Sequence, residues 1–143
     1  MPSGAKKVFN TALADTSTTD DEGVGTIRWE GNKAYKYVLY ESGAGAVAAV
    51  AGQVTYYYAA GGTSAADYKN HKVTSDLSDS AEVGAGVLQA VIADGSYGWI
   101  QIKGAALLTI ALTAGADGDT LTATGATDGT LDVSTASTDP IVA

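Results

Sequence analysis

Apolar and polar positions alternate from Gly25 to Glu41. Ile27 and Trp29 fall on one face, with Thr26, Arg28 and Glu30 on the other. Past Gly31-Asn32, Tyr35, Tyr37 and Leu39 alternate with Lys36, Val38 and Tyr40. A period of two puts successive side chains on opposite faces of an extended chain. The Gly-Asn step between the runs predicts a hairpin of strands 25–30 and 34–41. Val83–Gly104 predicts a second hairpin, because two runs rich in β-branched and aromatic residues flank Ala93-Asp94-Gly95-Ser96. There Gly supplies the positive φ of a tight turn. Tyr97, Trp99 and Gln101 then share one face, and Gly98, Ile100 and Ile102 the other, with Trp99 expected in the core.

Other stretches fill in the remainder. Gln53–Ala59 predicts a strand with aromatics on both faces, buried on both sides or facing a partner on one. Residues 65–72 suggest a helical turn leading into a short strand over 71–74, followed by a polar turn at 76–80. Ala105–Leu112, with Leu107, Leu108, Ile110 and Leu112, reads as a buried strand. Thr120–Thr124 and Thr130–Val133 flank Gly125–Gly129 as a third hairpin, and Pro140–Ala143 opens one more apolar strand. Turns recur about every 8–12 residues, the spacing of a β-sandwich or small barrel. The expected fold is therefore mainly β: a small β-barrel, β-tulip-like or sandwich domain over 24–143, with an extended N-terminal arm over 1–23. The arm is either a frayed terminus or a segment that orders on a partner by strand addition.

Composition sharpens this. The chain has 143 residues, with 18 Gly and only 2 Pro, and its small-residue richness suits short strands rather than a helical bundle. Sixteen acidic against eight basic residues give a net charge of −8, which argues against binding nucleic acid or an anionic membrane. Lys103 is the last basic residue, and Asp117, Asp119, Asp128, Asp132 and Asp139 come after it. There is no cysteine, so disulfides and thiolate metal sites are excluded. The N-terminus has no long apolar stretch of the signal-peptide kind, and the longest weakly apolar run, Ala44–Ala51, is far too short to span a bilayer.

Candidate chemistry is sparse. His71 is the single histidine and stands between Asn70 and Lys72, a surface context with no Gly-x-Ser-x-Gly elbow in the chain. Gly43-Ala44-Gly45-Ala46-Val47-Ala48 fits a loose dinucleotide-loop pattern, but Val47–Gly52 is too short and too β-like for the helix that pattern needs. Asp117-Gly118-Asp119 reads as a turn and Asp20-Asp21-Glu22 as a solvated charge run; neither has calcium-loop spacing. The expectation is no enzyme, no cofactor and no metal. The aromatics carry more information: two Trp and eight Tyr stand against one Phe. Interface tyrosines can keep their hydroxyls wet, which makes Tyr56-Tyr57-Tyr58 candidates for a subunit or partner contact.

Gly25-Thr26-Ile27-Arg28-Trp29-Glu30-Gly31-Asn32-Lys33-Ala34-Tyr35, Gly86-Val87-Leu88-Gln89 and Tyr97–Gly104, with the Ala-Gly-Asp-Thr-rich tail, resemble the head decoration (cement) proteins of tailed bacteriophages. The resemblance implies a compact β-barrel or β-tulip-like domain on the capsid exterior of a virion, made in the cytoplasm of a bacterial host. It would be a homo-oligomer, with a trimer favoured, bridging subunits of the major capsid protein. The expected contacts are Lys6, Lys7, Phe9, Arg28 and Trp29, with Tyr56, Tyr57 and Tyr58: apolar rings would be buried, and cations would meet carboxylates. Two other readings stand beside it. One is a carbohydrate-binding or adhesin-like domain with Trp29, Tyr37 or Trp99 as stacking platform; the other is a tail-tube or tail-decoration protein.

Overall fold

The computed structural model describes residues 7–60, 71–139 and 141. Its strands are β1 (Ile27–Glu30), β2 (Lys33–Tyr40), β3 (Val54–Tyr58), β4 (Lys72–Thr74), β5 (Ser80–Leu88), β6 (Tyr97–Lys103), β7 (Leu121–Thr122) and β8 (Asp132–Val133), with a 3-10 turn at Leu77–Asp79. The first hairpin forms as the alternation predicts. Ile27 pairs with Lys36 and Glu30 with Lys33, across a turn in which Gly31 takes φ +59°.

Strand β2 organises the molecule. One of its edges runs antiparallel to β6; the other is shared, with β1 beside Lys33–Lys36 and β4 running parallel beside Leu39–Tyr40. β4 then pairs with β3, β3 with β5, and β5 with β6. Five strands thus close a ring, β2-β4-β3-β5-β6, and β1 stands outside it. The mainly β fold is the expected one, and the ring closes without any strand from the C-terminus.

Val38, Tyr40, Val73, Leu88, Ile92 and Ile100 fill one cluster inside the ring. The opposite side of β2 and β6 carries Tyr35, Tyr37 and Trp99, covered by Phe9 and Leu13. A third cluster joins Val54 and Tyr56 of β3 to Ala123 and Leu131, under Leu77, Leu108, Leu112 and Leu121. Phe9 and Leu13 therefore cover one side of the barrel and the 108–131 segment another, and the alternating residues of β2 and β3 are buried on both faces.

Three expectations change. First, the described part of the arm, residues 7–23, is neither extended nor free. Glu22, 7% exposed, accepts hydrogen bonds at Oε1 from Asn10 N (2.6 Å), Thr11 N (2.7 Å) and the Thr11 hydroxyl (2.9 Å). Ser17 forms a bridge with Tyr97, and Thr11 Oγ1 accepts from the Trp99 indole at 2.9 Å. Second, Ala105–Leu112 is not a strand. The closed ring offers it no edge, so it crosses the outside, held at Thr109 N→Gly52 O (2.9 Å) and Thr113 N→Leu131 O (2.8 Å). Leu108 and Leu112 turn inward, while Leu107 is 91% exposed. Third, the central hairpin keeps its turn, with Gly95 at φ +70°, but β5 pairs with β6 only at Val87–Gln101 and Leu88–Ile100. The rest of β5 is committed to β3. The hairpin at β7–β8 forms as predicted, and Ile141 adds a bridge to Thr122. The helical turn expected over 65–72 falls largely outside the described residues.

Exchanging Glu22 for Gln keeps an acceptor oxygen but turns three charge-assisted bonds into neutral ones. We expect a loss of about 1–2 kcal/mol. Denaturant unfolding would measure it, and amide hydrogen exchange should speed up first at residues 10–24.

Candidate functional site

The hydroxyl partners sort the tyrosines. Tyr56 has no exposed surface. Its hydroxyl donates to Thr130 O and accepts from Thr130 N at 3.0 Å, and burial pushes its pKa up. Tyr56 is therefore a core residue, which corrects its place among the expected contacts. Tyr57 is half-buried and its hydroxyl accepts from Lys36 Nζ at 2.8 Å, with that ammonium 4.9 Å from the ring centroid. Tyr58 is half-buried beneath Lys72 Nζ at 5.5 Å. Tyr37 and Trp99 also have no exposed surface, so neither is a stacking platform. Burial, followed by the charge of Asp21, pushes the Tyr37 hydroxyl up to about 12.

Lys7, Phe9 and Arg28 do converge, but on their own barrel. Phe9 meets Trp99 edge-on at 5.6 Å and 79°. The Arg28 guanidinium lies 5.0 Å from the Phe9 ring and 5.8 Å from Trp99; it donates to Thr11 O at 2.9 Å and pairs with Glu30 at 2.5 Å. Lys7 donates to Glu22 O at 2.8 Å. These residues clamp the arm, an internal role that the sequence reading did not assign to them. Lys6 lies outside the described residues.

Trp29 is different. It pairs with Ala34, and Ala34 pairs on its far side with Lys103. All three share the face of β2 that carries Val38 and Tyr40 into the core, but β1 lies outside the ring, so this face opens to solvent. Trp29 is 60% exposed and Ile27 41%. The Lys103 ammonium stands 5.1 Å from the Trp29 ring, above the small side chain of Ala34. Ile102, at the bulge where β6 shifts register, is also exposed. The sequence marked Trp29 but not Lys103 or Ile102. Their relevance depends on cross-strand register, which no local pattern carries.

The remaining candidates are structural. In the Gly43–Ala48 loop the amides that would cradle a phosphate are occupied by carboxylates of the chain itself: Gly45 N donates to Asp76 Oδ2 at 2.8 Å and Ala44 N to Asp79 Oδ2. Asp94 holds Ser42 N at 2.8 Å. Asp119 caps its own turn through Ala116 N at 2.8 Å. His71 is not the free surface residue expected. Its ring packs on Gly25, where an added Cβ would lie 2.5 Å from Nε2, and its Nδ1 is buried without a partner. Burial, and then Lys36, lower its pKa. Among the described residues no group of three or more His, Cys, Asp or Glu side chains is placed to hold a metal, and no helix is long and apolar enough to cross a membrane. A cleft of about 400 Å³ lies between the barrel and the 105–131 segment, lined mainly by Val54, Ala85, Val87, Ile102, Leu108 and Leu131. Comparison of the chain with protein-family models, curated proteins and solved structures gave no match.

Proposed function

We propose that this chain is a non-enzymatic structural protein that docks on the outer surface of a phage capsid and stabilises it by bridging neighbouring subunits of the major capsid protein. The supporting observation is the Trp29 face: a rigid hairpin presents an indole, Ile27 and Lys103 to solvent outside a barrel whose other large rings are mostly spent on its own packing. An exposed Trp beside a cation suits a protein surface with apolar and acidic groups, and Trp and Arg dominate binding energy at such contacts. The resemblance of the Gly25–Tyr35 and Tyr97–Gly104 stretches to head decoration proteins supplies the biological setting. A lattice of many copies turns modest single contacts into durable reinforcement.

The test mixes purified protein with undecorated expanded capsid shells and scores bound copies and resistance to heat. The wild type is expected to bind and protect. Trp29→Ala should fold normally and bind at least about 30-fold more weakly, the scale of losing a hot-spot residue. Absence of wild-type binding would sink the capsid reading. A specific glycan that binds through Trp29 would replace it with the carbohydrate reading, and labelling of tails alone would point to a tail protein.

A further inference from the structure

Strand β1 ends the sheet, and among the described residues nothing pairs with its outer edge. Its hydrogen-bonding polarity is set by its neighbours. Tyr37 N donates to Thr26 O at 2.9 Å, and Gly25 N donates to Tyr37 O at 2.8 Å. Thr26 therefore faces β2, and by alternation so do the amides of Arg28 and Glu30, the latter flanking the two-residue turn. The N–H and C=O groups of Ile27 and Trp29 then point outward. Ile27–Glu30 contains no proline and pairs with β2 without a register shift; the one bulge, Gly25 and Thr26 both opposite Tyr37, lies just before the strand, so two of the devices that usually blunt an exposed strand are missing from its length.

We propose that the outer edge of β1 pairs antiparallel with β1 of a second copy about a twofold axis at Trp29, joining two sheets into one. Charge selects this register. Centring on Trp29 sets Arg28 opposite Glu30 of the second copy, and Glu30 opposite its Arg28. Centring on Arg28 would instead oppose two guanidiniums and leave Glu30 facing Thr26. Opposite charges across a strand pair favour pairing and like charges oppose it. The Trp29 register also places two outward-pointing residues face to face, so each Trp29 N–H meets the other copy's Trp29 C=O. The contact is isologous, the same patch serving both copies, and it closes at two. Both indoles, both Ile27 side chains and both Lys103 ammonium groups stay on one face, so the pair doubles the exposed platform. This pairing does not depend on the capsid reading and would stand if that reading failed.

The experiment uses the whole chain in sedimentation equilibrium across a wide concentration range, with circular dichroism to verify folding. The wild type is expected to show a reversible monomer–dimer equilibrium. Trp29→Pro removes an N–H that no intrachain bond uses; it should leave the monomer folded and weaken dimerisation at least tenfold. Glu30→Lys should weaken it similarly by facing the second copy's Arg28 with a cation, with circular dichroism showing that the fold survives loss of the Arg28–Glu30 pair within the chain. Because the chain lacks cysteine, register is read by single substitutions. Trp29→Cys should cross-link on oxidation, since antiparallel hydrogen-bonded partners have Cα atoms about 5.5 Å apart, within disulfide reach. Ile27→Cys should not, because Ile27 faces Gly31 in this register. A chain that stays monomeric throughout, that forms only a trimer, or that cross-links better through position 27 than 29 overturns the proposal.

Discussion

Replacing Trp99 with alanine is expected to remove about 3–5 kcal/mol, the range for truncating a fully buried large aromatic. That is a large share of the roughly 5–15 kcal/mol that holds a domain together. Three observations set the size. The ring has no exposed surface; it contacts Tyr37 at 5.1 Å and Phe9 at 5.6 Å; and its indole N–H donates to Thr11 at 2.9 Å. Truncation therefore empties the outer cluster and releases the arm. Urea unfolding should show the midpoint drop, and residues 7–24 should become the first site of limited proteolysis. Trp99→Phe separates the two contributions. It retains most of the ring packing and loses the hydrogen bond to Thr11, so the arm should loosen with a loss of only about 1–2 kcal/mol. An alanine variant as stable as the wild type, with the arm still protected, would show that Trp99 is not the anchor.

Much of the fold could be read from local pattern. The β1–β2 register comes from alternation interrupted by Gly31-Asn32, and the positive φ at Gly31 is what that turn needs. Asp94-Gly95 marked its turn equally well. The pattern did not show that β5 would leave β6 after two pairs, because this depends on β3 competing for the same strand. The segment at 105–112 failed for a related reason. Its apolar side chains alternate well enough for a strand from Leu108 to Leu112, but a strand also needs a free edge beside it; the ring that this segment crosses has none, and the open edge of β1 does not pair with it.

The candidate surface was legible in part. Trp29 stood out by type, and its exposure comes from β1 lying outside the ring. Arg28, Phe9 and Lys7 looked equally suited to a partner, yet their partners lie in the same chain, and Glu22 and Thr11 gave no local sign of gathering them. Tyr56 and Trp29 are both aromatic residues in strands. What separates them is the carbonyl of Thr130, supplied to the Tyr56 hydroxyl from 74 residues away. Side-chain chemistry names the residues able to form an interface; long-range pairing decides which of them are already used.

The same principle governs Asp76, where the expected loss is about 2–4 kcal/mol for exchange to asparagine. Asp76 is 2% exposed. Its Oδ2 accepts from Gly45 N at 2.8 Å, and its Oδ1 from Ser78 N at 3.0 Å and the Ser78 hydroxyl at 2.6 Å. Asparagine keeps the shape but directs an NH₂ group at a donor, leaving one side of the clasp unpaired. Gly43, at φ +73°, and Gly45 leave no room for repair, since a Cβ on either would meet Asp76 Oδ2 at 2.6–2.7 Å. The effect has a pH signature. Burial acts to raise the carboxyl pKa, but bonds from Ser78, Gly45 and Asp79 outweigh it and hold the group below its ordinary value of 3.8. A carboxyl whose pKa is lower when folded stabilises above the unfolded value and loses that contribution as pH falls through the folded one. The wild type should thus shed stability below about pH 4 through this group, whereas Asp76→Asn, with no proton to take up there, should not. The difference in unfolding free energy should be greatest at neutral pH and should narrow in acid. A gap that stays constant between pH 7 and pH 3 would mean that the Gly43–Ala48 loop is held by packing and not by the carboxylate.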